Sequence, residues 1–78
     1  MNPRVQDAKA LDNYLIQISF TNGETGIFDI TEYLNIGIFK ELQKPQIFNT
    51  VKAVDGTIQW VNGADLCPDT VYLDSKKI

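Results

Sequence analysis

The chain has 78 residues, seven Lys and Arg against ten Asp and Glu, a formal charge of −3 and 44% hydrophobic content. That is one small globular domain covering residues 1–78, with little core to spare. It holds no apolar run long enough for a membrane helix and no signal-peptide core at its N-terminus, and its lone Cys67 permits no internal disulfide. A cytoplasmic protein is expected. The basic residues Arg4, Lys9, Lys40, Lys44, Lys52, Lys76 and Lys77 are scattered. An acidic chain without a basic patch is a poor nucleic-acid binder on its own.

In chain order, residues 4–10 read as a weakly alternating first strand. Residues 14–20 follow, with Tyr14, Ile16, Ile18 and Phe20 apolar at every second position, the period of a half-buried strand. Asn22-Gly23 is a strong hairpin signal, since both residues tolerate positive φ. The returning strand is 25–30. A two-residue loop would set Asp29 opposite Ile16 on the apolar face. A three-residue loop with Gly23 as a bulge instead pairs Phe28 with Ile16 and Ile30 with Tyr14. A one-residue slip turns every side chain over, so the bulged loop is preferred.

A connector of short helices comes next. Thr31 is a fitting N-cap, with Glu32 in the first turn. Gly37 breaks the element after Ile36. Residues 38–42 make a second turn burying Phe39 and Leu42, and Pro45 opens a third. Helices this short persist only when docked on a sheet. The second hairpin turns on Asp55-Gly56 and opposes Val51 to Trp60 and Ala53 to Ile58. Pro68 opens a last helical turn through Tyr72. The chain shows no internal repeat, low-complexity tract or linker. The expected fold is α+β: a mostly antiparallel sheet of about five strands with short helices in the connector and at the C-terminus.

Residues 60–72 concentrate aromatic, acidic, glycine and proline residues, and they supply the candidate partner or ligand contacts Trp60, Asn62, Asp65, Asp69 and Tyr72. Each has a structural alternative. Trp60 is a core anchor or a half-exposed platform; if core, its ring N–H needs an acceptor. Asn62-Gly63 makes a positive-φ turn, or the Asn62 amide meets a ligand. Asp65 and Asp69 cap turns, or together form a hard-cation or acid/base pair for which no third acid has suitable spacing. Tyr72 packs on Trp60 with its hydroxyl on the turn backbone. Asp29 is placed to cap the Thr31 turn. Cys67 is a small buried or semi-buried side chain, and Ile27 and Val61 are candidate exposed apolar contacts.

Catalysis finds little support. The chain has no histidine, no glycine-rich phosphate loop and no cysteine cluster for zinc. A domain this size is also expected to offer little room for a pocket of ~300 Å³ or more. No catalytic residue, metal ligand or cofactor is assigned.

From Phe20-Thr21-Asn22-Gly23-Glu24 through Phe28-Asp29-Ile30, Gly37-Ile38-Phe39, Leu42 and Phe48 to Ile58-Gln59-Trp60, Asn62-Gly63-Ala64-Asp65-Leu66, Pro68-Asp69 and Tyr72, the chain resembles a family of small, mostly bacterial proteins called domain of unknown function 2442. The last block is the specific one. The resemblance covers nearly the whole length and implies an α+β domain with no established activity. It also implies a protein partner encoded nearby, in an arrangement like a toxin–antitoxin pair. Some relatives add a helix-turn-helix segment and look like DNA-binding regulators; such a segment is not expected within residues 1–78. The resulting expectation is a non-enzymatic protein-interaction module, the antitoxin-like or regulatory half of a two-protein pair. The alternatives are a component of a DNA-binding regulator assembly, and a small acidic-site metal-binding protein or enzyme. A sheet this short with an unpaired edge also invites a homodimer.

Overall fold

A computed structural model describes residues 2–78. Its strands are β1 (Val5–Ala10), β2 (Leu15–Phe20), β3 (Thr25–Asp29), β4 (Lys52–Val54), β5 (Thr57–Gln59) and β6 (Lys76–Lys77). The helices are α1 (Pro45–Phe48) and α2 (Pro68–Asp74), with 3-10 turns at Asp12–Tyr14, Thr31–Tyr33 and Gly37–Gln43. The α+β class expected from the sequence is the class found. Its strands divide into two sheets, however: an antiparallel four-stranded one in the order β1-β2-β3-β6, and the β4-β5 hairpin. A bulge between Val5 and Asp7 shifts the register of β1. Bulges increase local twist; the hairpin lies beside β1, with β4 close along it and a bond from Val5 N to Gly56 O at 2.9 Å.

Both turns set the registers expected of them. Thr21, Asn22 and Gly23 form a three-residue loop: Phe20 N donates to Glu24 O, Gly23 N returns to Phe20 O, and Gly23 has φ 89°. Ile16 therefore faces Phe28, and Asp29 falls on the opposite face. In the second hairpin Asp55 and Gly56 have φ 51° and 82°, and Ala53 faces Ile58. Two left-handed residues match the natural twist of the flanking strands.

Alternation then fixes the faces. Ile16, Ile18, Phe20 and Phe28 are buried together, and the helical segments pack on this same face. Phe48 meets the ring of Tyr14 at 5.2 Å, Tyr72 meets Phe20 at 5.0 Å and Tyr33 meets Phe28 at 6.1 Å. Trp60, Ile58, Leu42 and Val71 complete the buried set. Each large apolar side chain so removed from water contributes ~1.5–3 kcal/mol.

Two local expectations are corrected and one strand is added. Thr31 is not the N-cap of its turn; Asp29 Oδ1 accepts both the Thr31 amide at 2.9 Å and its hydroxyl at 2.7 Å, so Asp29 does the capping. Tyr14 lies outside β2, because Asn13 and Tyr14 take φ near 60° to turn the chain between β1 and β2. Its strained backbone is held by the Phe48 ring and by a bond from its hydroxyl to Gln43 O at 2.6 Å. The strand β6 has no counterpart in the sequence reading: its two lysines carry no apolar alternation.

Candidate functional site

Residues 60–72 begin with a second copy of the first hairpin's loop. Trp60 N donates to Ala64 O at 2.9 Å, Gly63 N to Trp60 O at 3.0 Å, and Ala64 N to Asn62 Oδ1 at 3.1 Å. The corresponding bonds at Phe20, Gly23 and Glu24 measure 2.9, 3.0 and 3.0 Å. Aromatic-x-Asn-Gly thus builds one turn twice. The aromatic is buried, the asparagine oxygen holds the second amide beyond it, and glycine takes the left-handed position. The chain continues antiparallel to β5, with Asp65 bridged to Gln59.

Trp60 takes the core role. It is 1% exposed, its Nε1 donates to Phe48 O at 3.0 Å, and its ring stands edge-on to Phe39 at 6.3 Å. A ring so enclosed offers no platform to a ligand. The Asn62 amide is also engaged: Nδ2 donates to Glu41 Oε1 at 2.7 Å and reaches Ile38 O at 3.5 Å. This pins the second hairpin to the 3-10 turn Gly37–Gln43.

Asp65 is exposed and rims a small hollow of about 100 Å³ with Val54, Asp55, Thr57 and Gln59. Asp69 is exposed in the first turn of α2, and its Oδ1 accepts from Asn2 Nδ2 at 3.3 Å. Its position suits the positive end of the short helix. Among the described residues, no three acids, cysteines or histidines gather as a metal site.

Tyr72 is not on Trp60. Its ring packs on Phe20 and its hydroxyl donates to Glu24, which also accepts from Asn22 Nδ2. These bonds hold the Glu24 carboxyl below its ordinary value, the Tyr72 bond first and the Asn22 bond second. The same bond, with burial, raises the Tyr72 hydroxyl. Lys77 completes the group: its Nζ lies 4.0 Å from the Tyr72 ring centroid, 5.5 Å from that of Phe20, and donates to the Tyr72 and Ser75 carbonyls. The group ties the first hairpin's tip to α2 and β6. The sequence offers no local sign of it. The run from 60 to 72 therefore serves two separate places, with Trp60 and Asn62 at one and Tyr72 at the other.

Cys67 is exposed, against expectation. Its backbone is extended next to buried Leu66, so alternation sends the thiol outward. Val61 is 68% exposed, as a contact residue needs, whereas Ile27 is half-buried on the wall of a groove. That groove, of about 440 Å³, has Asp29, Glu32, Tyr33, Asp74 and Lys76 on its other walls. Burial raises the Tyr33 hydroxyl there, helped by the charges of Asp74 and Glu32. A second groove of about 500 Å³ runs along β1, from Ala8 to Asp12, with Asn49 and Val51 opposite. A chain this small thus has more surface relief than its size suggests. Neither groove touches any of the five candidate residues.

No helix among the described residues is long and apolar enough to cross a membrane. Searches of curated proteins and of solved structures returned no match for this chain. A family model does match it, over residues 5–77, and its description is that of a protein of unknown function, DUF2442. The match runs from the first residue of β1 to the last of β6 and takes in both Asn-Gly turns, so the chain belongs to the DUF2442 family.

Proposed function

We propose that the protein is a non-enzymatic interaction module whose contact surface is the corner formed by Ile36, Ile38 and Val61. The supporting observation is their exposure, 56%, 47% and 68%, at a point held by fixed bonds. The Asn62 side chain grips Ile38 O and Glu41, and Val61 N donates to Thr50 Oγ1 at 3.1 Å. Scattered exposed aliphatics are ordinary, and Leu73 and Ile78 are exposed too. The Asn62 bonds to Ile38 O and Glu41, however, fix the segments that carry Ile38 and Val61, and a fixed surface loses little order on contact. The net charge of −3, with Glu41 at the rim, suits a basic partner and speeds its approach. The partner we favour is a protein encoded beside this one, with this chain as the antitoxin-like or regulatory half.

The test is co-purification of that neighbour with the wild-type chain and with Val61→Glu. The charge should reduce recovery about tenfold or more, as ~1–3 kcal/mol lost at an interface centre does, without changing the melting temperature. Equal recovery by both chains removes the corner from the interface. Tight binding of duplex DNA by the chain alone overturns the reading in favour of a regulator.

A further inference from the structure

Strand β3 runs on past its partner. Its ladder with β6 covers Gly26 and Ile27, while the strand continues to Asp29. The bonds from Phe20 N to Glu24 O and from Ile30 N to Tyr14 O show that the even residues of this stretch face β2. Successive residues direct their backbone groups to opposite sides, so Asp29 turns its carbonyl away from β2, to the side where β6 has already given out. There α2 ends at Asp74 and β6 begins at Lys76. The space between is the groove of about 440 Å³, a volume within the ~300–1,000 Å³ of ligand sites.

Separate elements supply its walls. Ile27 and Asp29 belong to β3, Glu32 and Tyr33 to the 3-10 turn Thr31–Tyr33, and Asp74 and Lys76 to α2 and β6. Asp29, Glu32 and Asp74 are exposed carboxylates set against one lysine of the lining, which leaves an excess of two negative charges. Glu32 and Asp74 come from different elements, yet both charges act on the Tyr33 hydroxyl, so they converge on the aromatic wall. The acids are too dispersed for a metal ion: among the described residues no three gather as ligands, and a divalent cation needs its oxygens at ~2.0–2.6 Å. Dispersed acceptors with an aromatic ring among them suit a larger, planar cation. A guanidinium carries five N–H donors in one plane and stacks on aromatic rings, whereas an ammonium is a compact point charge. Tyr33 also joins this groove to the contact corner, because Ile36 N donates to Tyr33 O at 3.0 Å.

We infer that the groove receives an arginine side chain of the protein partner, with its guanidinium against the Tyr33 ring and its N–H groups directed to the Glu32 and Asp74 carboxylates and the Asp29 carbonyl. The inference rests on the interaction reading and names the residue type by which a basic partner is recognised. The corner of Ile36, Ile38 and Val61 supplies apolar contact, and the groove selects the charge.

The probe is acetyl-arginine-amide, titrated into the isotope-labelled full chain and followed by two-dimensional NMR. Acetyl-lysine-amide and the neutral, similarly shaped acetyl-citrulline-amide serve as comparisons. Arginine should give shifts centred on Ile27, Asp29, Glu32, Tyr33, Asp74 and Lys76 that saturate at about millimolar concentration, the range of a single side chain. Lysine should bind about threefold more weakly, and citrulline should not saturate. Glu32→Gln and Asp74→Asn should each weaken arginine about threefold, as the loss of one exposed ion pair does, and about tenfold together. Tyr33→Leu should bring arginine down to the level of lysine; if that variant does not fold, the two exposed carboxylate variants still decide. Saturation by citrulline, equal binding of lysine and arginine by the wild type, or arginine shifts unaltered in the double variant overturns the groove. The two readings fail separately. Arginine left unbound while Val61→Glu still cuts recovery of the neighbour overturns the groove and spares the corner. Arginine bound in the groove while Val61→Glu changes nothing overturns the corner and spares the groove.

Discussion

The Tyr72 hydroxyl donates to Glu24, 48 positions earlier, a bond that needs a protonated phenol and is strongest to an ionised carboxylate. Its contribution therefore has two pH limits. Glu24 lies below its ordinary 4.5 when folded, so its stabilisation is present above 4.5 and is lost as pH falls through the lowered folded value. Tyr72 lies above its ordinary 10.0, so its stabilisation is present below 10.0 and is lost as pH rises through the raised folded value. Tyr72→Phe should reduce the alkaline loss, leaving the part the raised Tyr33 supplies, and shrink the acid one, leaving the part Asn22 supplies. Urea denaturation across the pH range reads this directly, and an unchanged profile in the variant would show that the bond contributes nothing. Trp60 behaves differently. Its ring N–H is satisfied within the core, so Trp60→Phe leaves the Phe48 carbonyl short of a donor as well as leaving a void.

The two Asn-Gly loops do the same job for different strands, and their glycines can be told apart from Gly26 by experiment. Gly23 and Gly63 have φ near 90° with open space around them, so Ala at either site costs ~1–2 kcal/mol through backbone strain alone. Gly26 has no such strain, but an added Cβ would come within 2.9 Å of the Ser75 Cβ. Gly26→Ala should therefore cost ~1–3 kcal/mol by forcing α2 and β6 off β3. Amide exchange at Lys76 and Ile78 should speed up in that variant and not in Gly63→Ala. This difference also shows what the sequence could disclose. Asn22-Gly23 and Asp55-Gly56 carry their turn geometry in two adjacent residues, and alternation in residues 14–20 carries a face, so both hairpins and their registers were readable. Pro45 and Pro68 likewise announced α1 and α2. By contrast β6 is two lysines whose pairing depends on Gly26 and Ile27, about fifty residues away. The Glu24, Tyr72 and Lys77 group was hidden for the same reason, and Tyr72 was assigned to the wrong aromatic.

Both ends of the chain lie on the first hairpin: β1 against β2, and β6 against β3. The four-stranded sheet is complete only when the two termini have reached it, so the domain should unfold as a single unit. Removing residues 76–78 takes away the Lys77 contacts with two rings and two carbonyls, and the Ile78 N–H bond to Thr25 O. At ~0.5–1 kcal/mol per contact of these kinds, the loss is ~2.5–5 kcal/mol, or at least roughly 10 °C in melting temperature for a domain of this size. Calorimetry should show one transition, shifted down and not split. The twin turns have one more consequence. Asn-Gly is the dipeptide most prone to deamidation, in which the glycine nitrogen attacks the asparagine side chain and closes a succinimide. In the folded chain Gly23 N and Gly63 N are held on Phe20 O and Trp60 O, and both asparagine side chains are tied down on their amide oxygens. Opening the chain frees all four groups at once. The loops that set the strand registers thus also act as chemical clocks that run while the protein is unfolded, and isoaspartate at Asn22 or Asn62 would lengthen the backbone of the turn that refolding requires.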